Sequence, residues 1–124
     1  TKACLPEMIR QGYGNIIVIS SIWGETGASC EVIYSSVKGA QNSFVKALAQ
    51  EVARSNIRIN AVSPGFIDTK MNLQLSTEEK NAVINEIPAN RAGKPEEVAA
   101  LVTFLFDGKS AYVNGENIKI SGAW

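Results

Sequence analysis

Apolar residues along this chain fall into short unbroken runs separated by stripes at helical spacing. Asn15 to Ser20, NIIVIS, is a continuous β-branched run between a Gly-containing turn and a Ser/Gly loop, which predicts a parallel strand buried on both faces. Ile57 to Ser63 predicts a second strand, ended by Pro64 and Gly65, because proline cannot donate to a ladder and glycine permits a sharp turn. Between them a helix of about twenty residues is predicted over Tyr34 to Ser55. Val37, Ala40, Phe44, Ala47, Leu48, Glu51 and Val52 trace one side of it, apolar except for Glu51. Strand, helix and strand make a βαβ unit, whose right-handed crossover would set the loop after Ser63 beside the loop after Ser21.

The flanking segments carry their own punctuation. Ser76 to Glu79 has the S-x-x-E capping-box form and predicts a short helix that ends near Ile87 and is closed by Pro88. Pro95 suits the first turn of another helix, PEEVAALVTFLFD, with Glu96 and Glu97 at its positive end. Val113 to Ser121 predicts a terminal strand broken by the turn residues Asn114 and Gly115. The opening TKACLPEMIRQ places Ala3, Leu5, Met8 and Ile9 at roughly helical spacing with no capping residue ahead, so it reads as the back end of a helix and predicts a chain cut from a longer one. No strand followed by a Gly-rich turn that opens a helix, the device that cradles a dinucleotide pyrophosphate, precedes Tyr34. The pattern predicts one α/β unit without repeats or linkers.

Composition narrows the function classes. The 124 residues, 45% of them apolar, suit a single domain that is small for a large doubly wound sheet. Twelve basic and twelve acidic residues balance, and no basic cluster or interleaved aromatic stripe points to nucleic acid. No apolar stretch reaches the roughly 18 residues of a membrane span, and the start lacks signal-peptide form, so a cytoplasmic setting is expected. With no histidine, and with Cys4 and Cys30 outside any ligand-like spacing, a metal site is not expected. The two cysteines read as small buried or surface thiols without a role.

The candidate chemistry lies in YSSVKGAQNSFVKALAQEVA. Tyr34 and Lys38 are four residues apart on the predicted helix, and residues i and i+4 share a face. The Lys38 charge can therefore lie beneath the Tyr34 ring and favour its phenolate, and such a phenol can act as acid or base near neutrality. Taken alone, the pair is more often an ordinary half-buried tyrosine and a solvated lysine, since Y-x-x-x-K occurs by chance in very many proteins. A hydroxyl at the carboxyl end of the first strand adds to it, since ligands of open α/β sheets bind there. Ser20 and Ser21 both leave that strand, and adjacent residues of an extended chain point to opposite faces, so only one is expected to face Tyr34.

The text from ISSIWGETG through YSSVKGAQNSF to NAVSPGFIDT resembles the short-chain dehydrogenase/reductase family, most nearly its 3-oxoacyl-carrier-protein reductase branch. The resemblance runs over nearly the whole chain but matches only the family's C-terminal half. It implies that residues 1–124 form the C-terminal catalytic half of a doubly wound, parallel-sheet Rossmann domain. The TGxxxGxG loop, the NNAG segment and the active-site Asn of the family's first half have no counterpart here. The family's thirteen-residue offset selects Ser21 over Ser20, and Ser21, Tyr34 and Lys38 become the implied catalytic trio. Lys38 would also bind nicotinamide ribose hydroxyls. Pro64, Gly65, Ile67 and Thr69, in PGFIDT, match the segment that meets the nicotinamide of NADP or NAD.

The shared text in PGFIDT, IPANRAGKPEEVA and YVNGENIKISGAW further implies a ketone substrate, a 3-oxoacyl thioester on acyl carrier protein or coenzyme A. Arg10 and Arg54 lie near the regions that dock the carrier protein in the family. An enoyl reductase of the superfamily would space its Tyr and Lys seven apart, which disfavours that reading. Trp23, Phe66, Met71 and Leu75 are candidates for an acyl pocket and equally for plain core. Asp68 reads as a surface charge, and Arg91 as a residue that orders a loop. Homodimers through the first helix and the Tyr34 to Ser55 helix, or tetramers through the terminal strand, are implied. Two alternatives stand beside the reductase. One is a truncated, non-catalytic oligomerisation module, the isolated 124 residues being expected to be inactive; the other is an oxidoreductase of a different small alcohol or ketone.

Overall fold

The computed structural model describes residues 1–72 and 74–124. Three parallel strands form one sheet in the order β1 (Gly14–Ile19), β2 (Ile57–Pro64) and β3 (Asn117–Ile120). The helices are α1 (Leu5–Gln11), the single-turn α2 (Trp23–Thr26), α3 (Val32–Val52), α4 (Thr77–Glu86) and α5 (Pro95–Phe106). The chain is thus α/β with the parallel sheet that the apolar runs predict.

The core lies between α3 and the central strand. Val45, Leu48, Ala49 and Val52 of α3 pack with Ile57, Ile59 and Ala61 of β2, and Leu5, Met8, Ile16 and Val18 close in from the side. Burial of such side chains contributes about 1.5–3 kcal/mol each for the larger ones, which is why β2 carries no exposed residue and sets the position of everything around it. Its polar members are satisfied. The buried Asn60 amide donates to the Val113 carbonyl at 2.9 Å and accepts from the Glu116 N–H at 3.0 Å. Arg58 donates to the carbonyls of Leu105 at 3.0 Å and Ser110 at 2.9 Å, tying the end of α5 to the sheet.

Several boundaries differ from those expected. The long helix begins at Val32, so Tyr34 lies inside its first turn, and it ends at Val52 in a 3₁₀ turn over Ala53–Ser55. Its buried face is Asn42, Val45, Leu48, Ala49 and Val52, so only Leu48 and Val52 of the expected stripe point inward. Val37 and Phe44 are exposed on a second apolar stripe. A helix with two apolar stripes has no phase that its own sequence can choose; the sheet selects the stripe whose small and branched residues fit against β2. β1 is half-buried rather than buried on both faces, with Ile19 exposed, because it pairs with β2 alone among the described residues.

The terminal strand is also shorter than expected. Residues 113–116 lie outside the regular strand and meet β2 through mixed links: the Gly115 N–H donates to the Ile59 carbonyl at 2.9 Å and the Glu116 carbonyl accepts from the Ala61 N–H at 2.7 Å, while Asn114 Oδ1 accepts from the Ile59 N–H at 2.9 Å and Asn60 holds Val113 and Glu116. The short helices follow their punctuation. Ser76 and Glu79 form the reciprocal capping box of α4, and Pro95 stands in the first turn of α5. Cys4 and Cys30 are exposed free thiols, and no helix among the described residues is long and apolar enough to cross a membrane.

Candidate active site

The carboxyl ends of β1 and β2 lie side by side: the Ser20 N–H donates to the Val62 carbonyl at 2.8 Å and the Ile22 N–H to that of Pro64 at 3.1 Å. This juxtaposition opens a cleft of about 730 Å³ at the end of the sheet. Ser21, Tyr34 and Lys38 line it from one side, and Pro64, Gly65, Ile67 and Thr69 from the other. All seven residues singled out in the sequence, drawn from three separate segments, thus meet at one cavity.

α2 and α3 fix the first side. Gly24 packs directly on α3, where a Cβ would lie 2.7 Å from the Lys38 carbonyl carbon. Lys38 Nζ stands 5.6 Å from the centroid of the Tyr34 ring, within cation–π range, and donates to the Ile19 carbonyl at 3.0 Å. Tyr34 is partly exposed to the cleft.

Both serines reach the cleft, yet their hydrogen bonds separate them. Ser20 Oγ donates its proton to the Lys38 carbonyl at 3.2 Å. Ser21 Oγ instead accepts from the Trp23 N–H at 3.2 Å, which leaves its own hydroxyl proton available to an oxygen in the cleft. Of the two, Ser21 is the free donor.

The second side is braced from outside the cleft. Ile67 forms a parallel bridge to Gly93; the Gly93 N–H donates to the Phe66 carbonyl and the Asp68 N–H to the Gly93 carbonyl, each at 2.9 Å. Arg91 donates to both carboxylate oxygens of Glu97 at 2.8 and 2.6 Å, and Glu97 also accepts from the Lys94 N–H at 2.8 Å. These bonds hold the Glu97 carboxyl down at a pKa of about 2. Asn72 donates to the Ile67 carbonyl at 2.6 Å. Asp68 is exposed and does not line the cavity.

A family model described as Enoyl-(Acyl carrier protein) reductase matches residues 1–123. The chain belongs to the short-chain dehydrogenase/reductase family. It is 51% identical over its full length to the uncharacterized oxidoreductase YmfI of Bacillus subtilis, covering 51% of that protein. It is 44% identical to the 3-oxoacyl-[acyl-carrier-protein] reductase FabG of Aquifex aeolicus over 98% of the chain and 49% of the relative. Among solved structures, a 3-oxoacyl-[acyl-carrier protein] reductase from Brucella melitensis superposes with a TM-score of 0.92 at 32% identity, over 98% of this chain and 46% of that one. The chain spans about half the length of the curated relatives it matches.

Within this family frame, the cleft has walls that the sequence only partly announces. Trp23, Phe66, Met71 and Leu75, left open between pocket and core, all line it. Glu31, Asn72, Val83 and Trp124 line it as well and were not anticipated. Asn72 carried a faint signal, a short polar side chain just beyond a turn, a type that bonds local backbone. Trp124 carried none, since its neighbour is Trp23, about a hundred residues away in sequence.

Proposed function

We propose that the protein containing this chain reduces a ketone to a secondary alcohol with NADPH or NADH, the substrate being a 3-oxoacyl thioester of acyl carrier protein or coenzyme A. The observation that carries the reading is the convergence of Ser21, Tyr34 and Lys38 with the Pro64 to Thr69 segment on one cleft. The 3-oxoacyl reductases among its relatives support the substrate class.

The residues present fit a nicotinamide cofactor. Lys38 supplies a cation to ribose hydroxyls, and the backbone near Ile67 and the Thr69 hydroxyl supply polar groups for a carboxamide, all facing the same cavity. When bound, the cofactor supplies a hydride to the carbonyl carbon. The chain's own residues serve the oxygen. Ser21, with its proton uncommitted, donates a hydrogen bond that holds the carbonyl and stabilises the charge growing on its oxygen. Tyr34 gives its phenolic proton to that oxygen, and Lys38 lies against the ring that donates it. The apolar side chains of Phe66, Met71 and Leu75 take up the acyl chain.

The test is Tyr34→Phe in the full-length protein, assayed by cofactor oxidation with acetoacetyl thioesters. Loss of a proton donor predicts a fall in kcat on the order of 10²–10⁴-fold with KM little altered. Full activity in that variant would refute the reading.

The reading includes a cytoplasmic enzyme that works as a homo-oligomer. Ile33 is 82% exposed and Val37 53%, and Phe44 and the α1 residue Ile9 extend the same kind of surface. Apolar side chains left open along the long helix favour burial against a second copy, as a dimer or tetramer.

A further inference from the structure

Two tryptophans meet at the cleft from opposite ends of the chain. Trp23 and Trp124 pack edge to face, with ring centroids 4.8 Å apart and an interplanar angle of 70°. Trp23 stands two residues beyond Ser21, and its backbone N–H is the donor to the Ser21 hydroxyl. Trp124 reaches it because Gly122 and Ala123 both adopt left-handed backbone conformations, φ +67° and +71°, an unfavourable choice for alanine. The turn is fastened by Ser121, whose carbonyl accepts from the Trp124 N–H and whose hydroxyl donates to the Trp124 carbonyl. A second link between the same two segments, the Lys119–Glu25 ion pair at 3.1 Å, lies on the surface.

We propose that Trp23 and Trp124 form an aromatic end wall of the cleft that limits the length of the acyl chain bound there, making Trp124 a specificity-determining residue. The proposal rests on the reading of the cleft as a 3-oxoacyl thioester site. The physical reason is the size and stiffness of the pair. Two indoles packed edge to face yield less to a lengthening chain than the flexible Met71 and Leu75 that line the same cavity. A chain that meets the wall must bend or leave its terminal methylenes in water, and a methylene placed or misplaced in an apolar pocket changes selectivity by roughly 10–200-fold.

The experiment compares full-length wild type, Trp124→Ala, Trp124→Phe and Glu25→Gln. Catalytic efficiency is measured on a series of 3-oxoacyl thioesters from acetoacetyl to 3-oxododecanoyl. The ratio of long-chain to short-chain kcat/KM is expected to rise on the order of tenfold in Trp124→Ala. It should rise less in Trp124→Phe and stay at the wild-type value in Glu25→Gln, which breaks the surface link but leaves the wall. An unchanged ratio in Trp124→Ala, with all substrates losing efficiency alike, would overturn the proposal and leave the pair a brace. Wild type that turns over no 3-oxoacyl thioester would instead refute the functional reading. The wall is then decided by binding of unreactive saturated acyl-coenzyme A thioesters, read by ¹⁹F NMR of 5-fluorotryptophan at positions 23 and 124 assigned through single Trp→Phe replacements. Tighter binding of the long chains to Trp124→Ala than to wild type supports the wall, and equal binding sinks it.

Discussion

Gly24→Ala is the most direct test of how the fold sets the site. Gly24 lies in α2, immediately beyond Ser21 and Trp23, and it rests on α3 at Lys38. An alanine methyl would stand 2.7 Å from the Lys38 carbonyl carbon and 2.9 Å from both its Cβ and the Asn42 amide nitrogen. The ordinary contact begins at 3.4 Å, so a retreat of about 0.7 Å is required. The carbonyl carbon belongs to the backbone of a 21-residue helix packed on β2 and cannot yield alone, so α2 must move and take the Ser21 loop with it. The same shift loosens the Ser20 bond to the Lys38 carbonyl. Overpacking of this kind costs about 1–3 kcal/mol. A misplacement approaching 1 Å at a reacting group costs on the order of 10²-fold in rate. On the proposed reading, the expected outcome in the full-length protein is a kcat for 3-oxoacyl thioester reduction lowered on the order of 10–10²-fold, with a loss of about 1–3 kcal/mol in urea unfolding. Gly108→Ala serves as the control, since nothing lies within 4 Å of its added methyl. A Gly24→Ala enzyme with kcat within about twofold of wild type and stability within about 0.5 kcal/mol would refute the claim that this contact spaces Ser21 from Tyr34 and Lys38.

Two further outcomes follow from groups away from the cleft's centre. Asn42 is buried on α3 with neither its amide nitrogen nor its oxygen partnered among the described residues, and leaving such groups unsatisfied costs about 1–3 kcal/mol, so Asn42→Leu should stabilise the protein by a similar amount in urea titration; destabilisation would show that the amide has a partner. The Arg91 guanidinium and the Lys94 N–H depress the Glu97 carboxyl from 4.5 to about 2. The pair's contribution to stability is therefore complete above pH 4.5 and lost as pH falls toward 2. The stability difference between wild type and Glu97→Gln should shrink over that window, and a difference that stays constant with pH would contradict the pairing.

Much of the fold was legible because its signals are local. The β-branched runs at Asn15 and Ile57, the capping box at Ser76 and the proline at position 95 each specify an element through a few neighbouring residues, and each stands within a residue or two of its place. The Tyr34 and Lys38 pairing was legible for the same reason, since one helix fixes it, and the βαβ order sets the loop after Ser63 beside the loop after Ser21; the choice of Ser21 over Ser20 came from the family resemblance. What the tertiary structure alone decided is phase and pairing. Which of two apolar stripes on α3 turns inward depends on the strand it meets. The late start of the third strand goes with the amides of Asn60 and Asn114, which bond the backbone of residues 113, 116 and 59 before regular pairing begins at Asn117. Where the Ser20 and Ser21 protons go is set by the folded structure, and Trp124 joins Trp23 through a left-handed turn about a hundred residues along the chain. Local sequence sets the period of an element and the reach of its side chains; contacts between distant segments choose which partner each side chain finds.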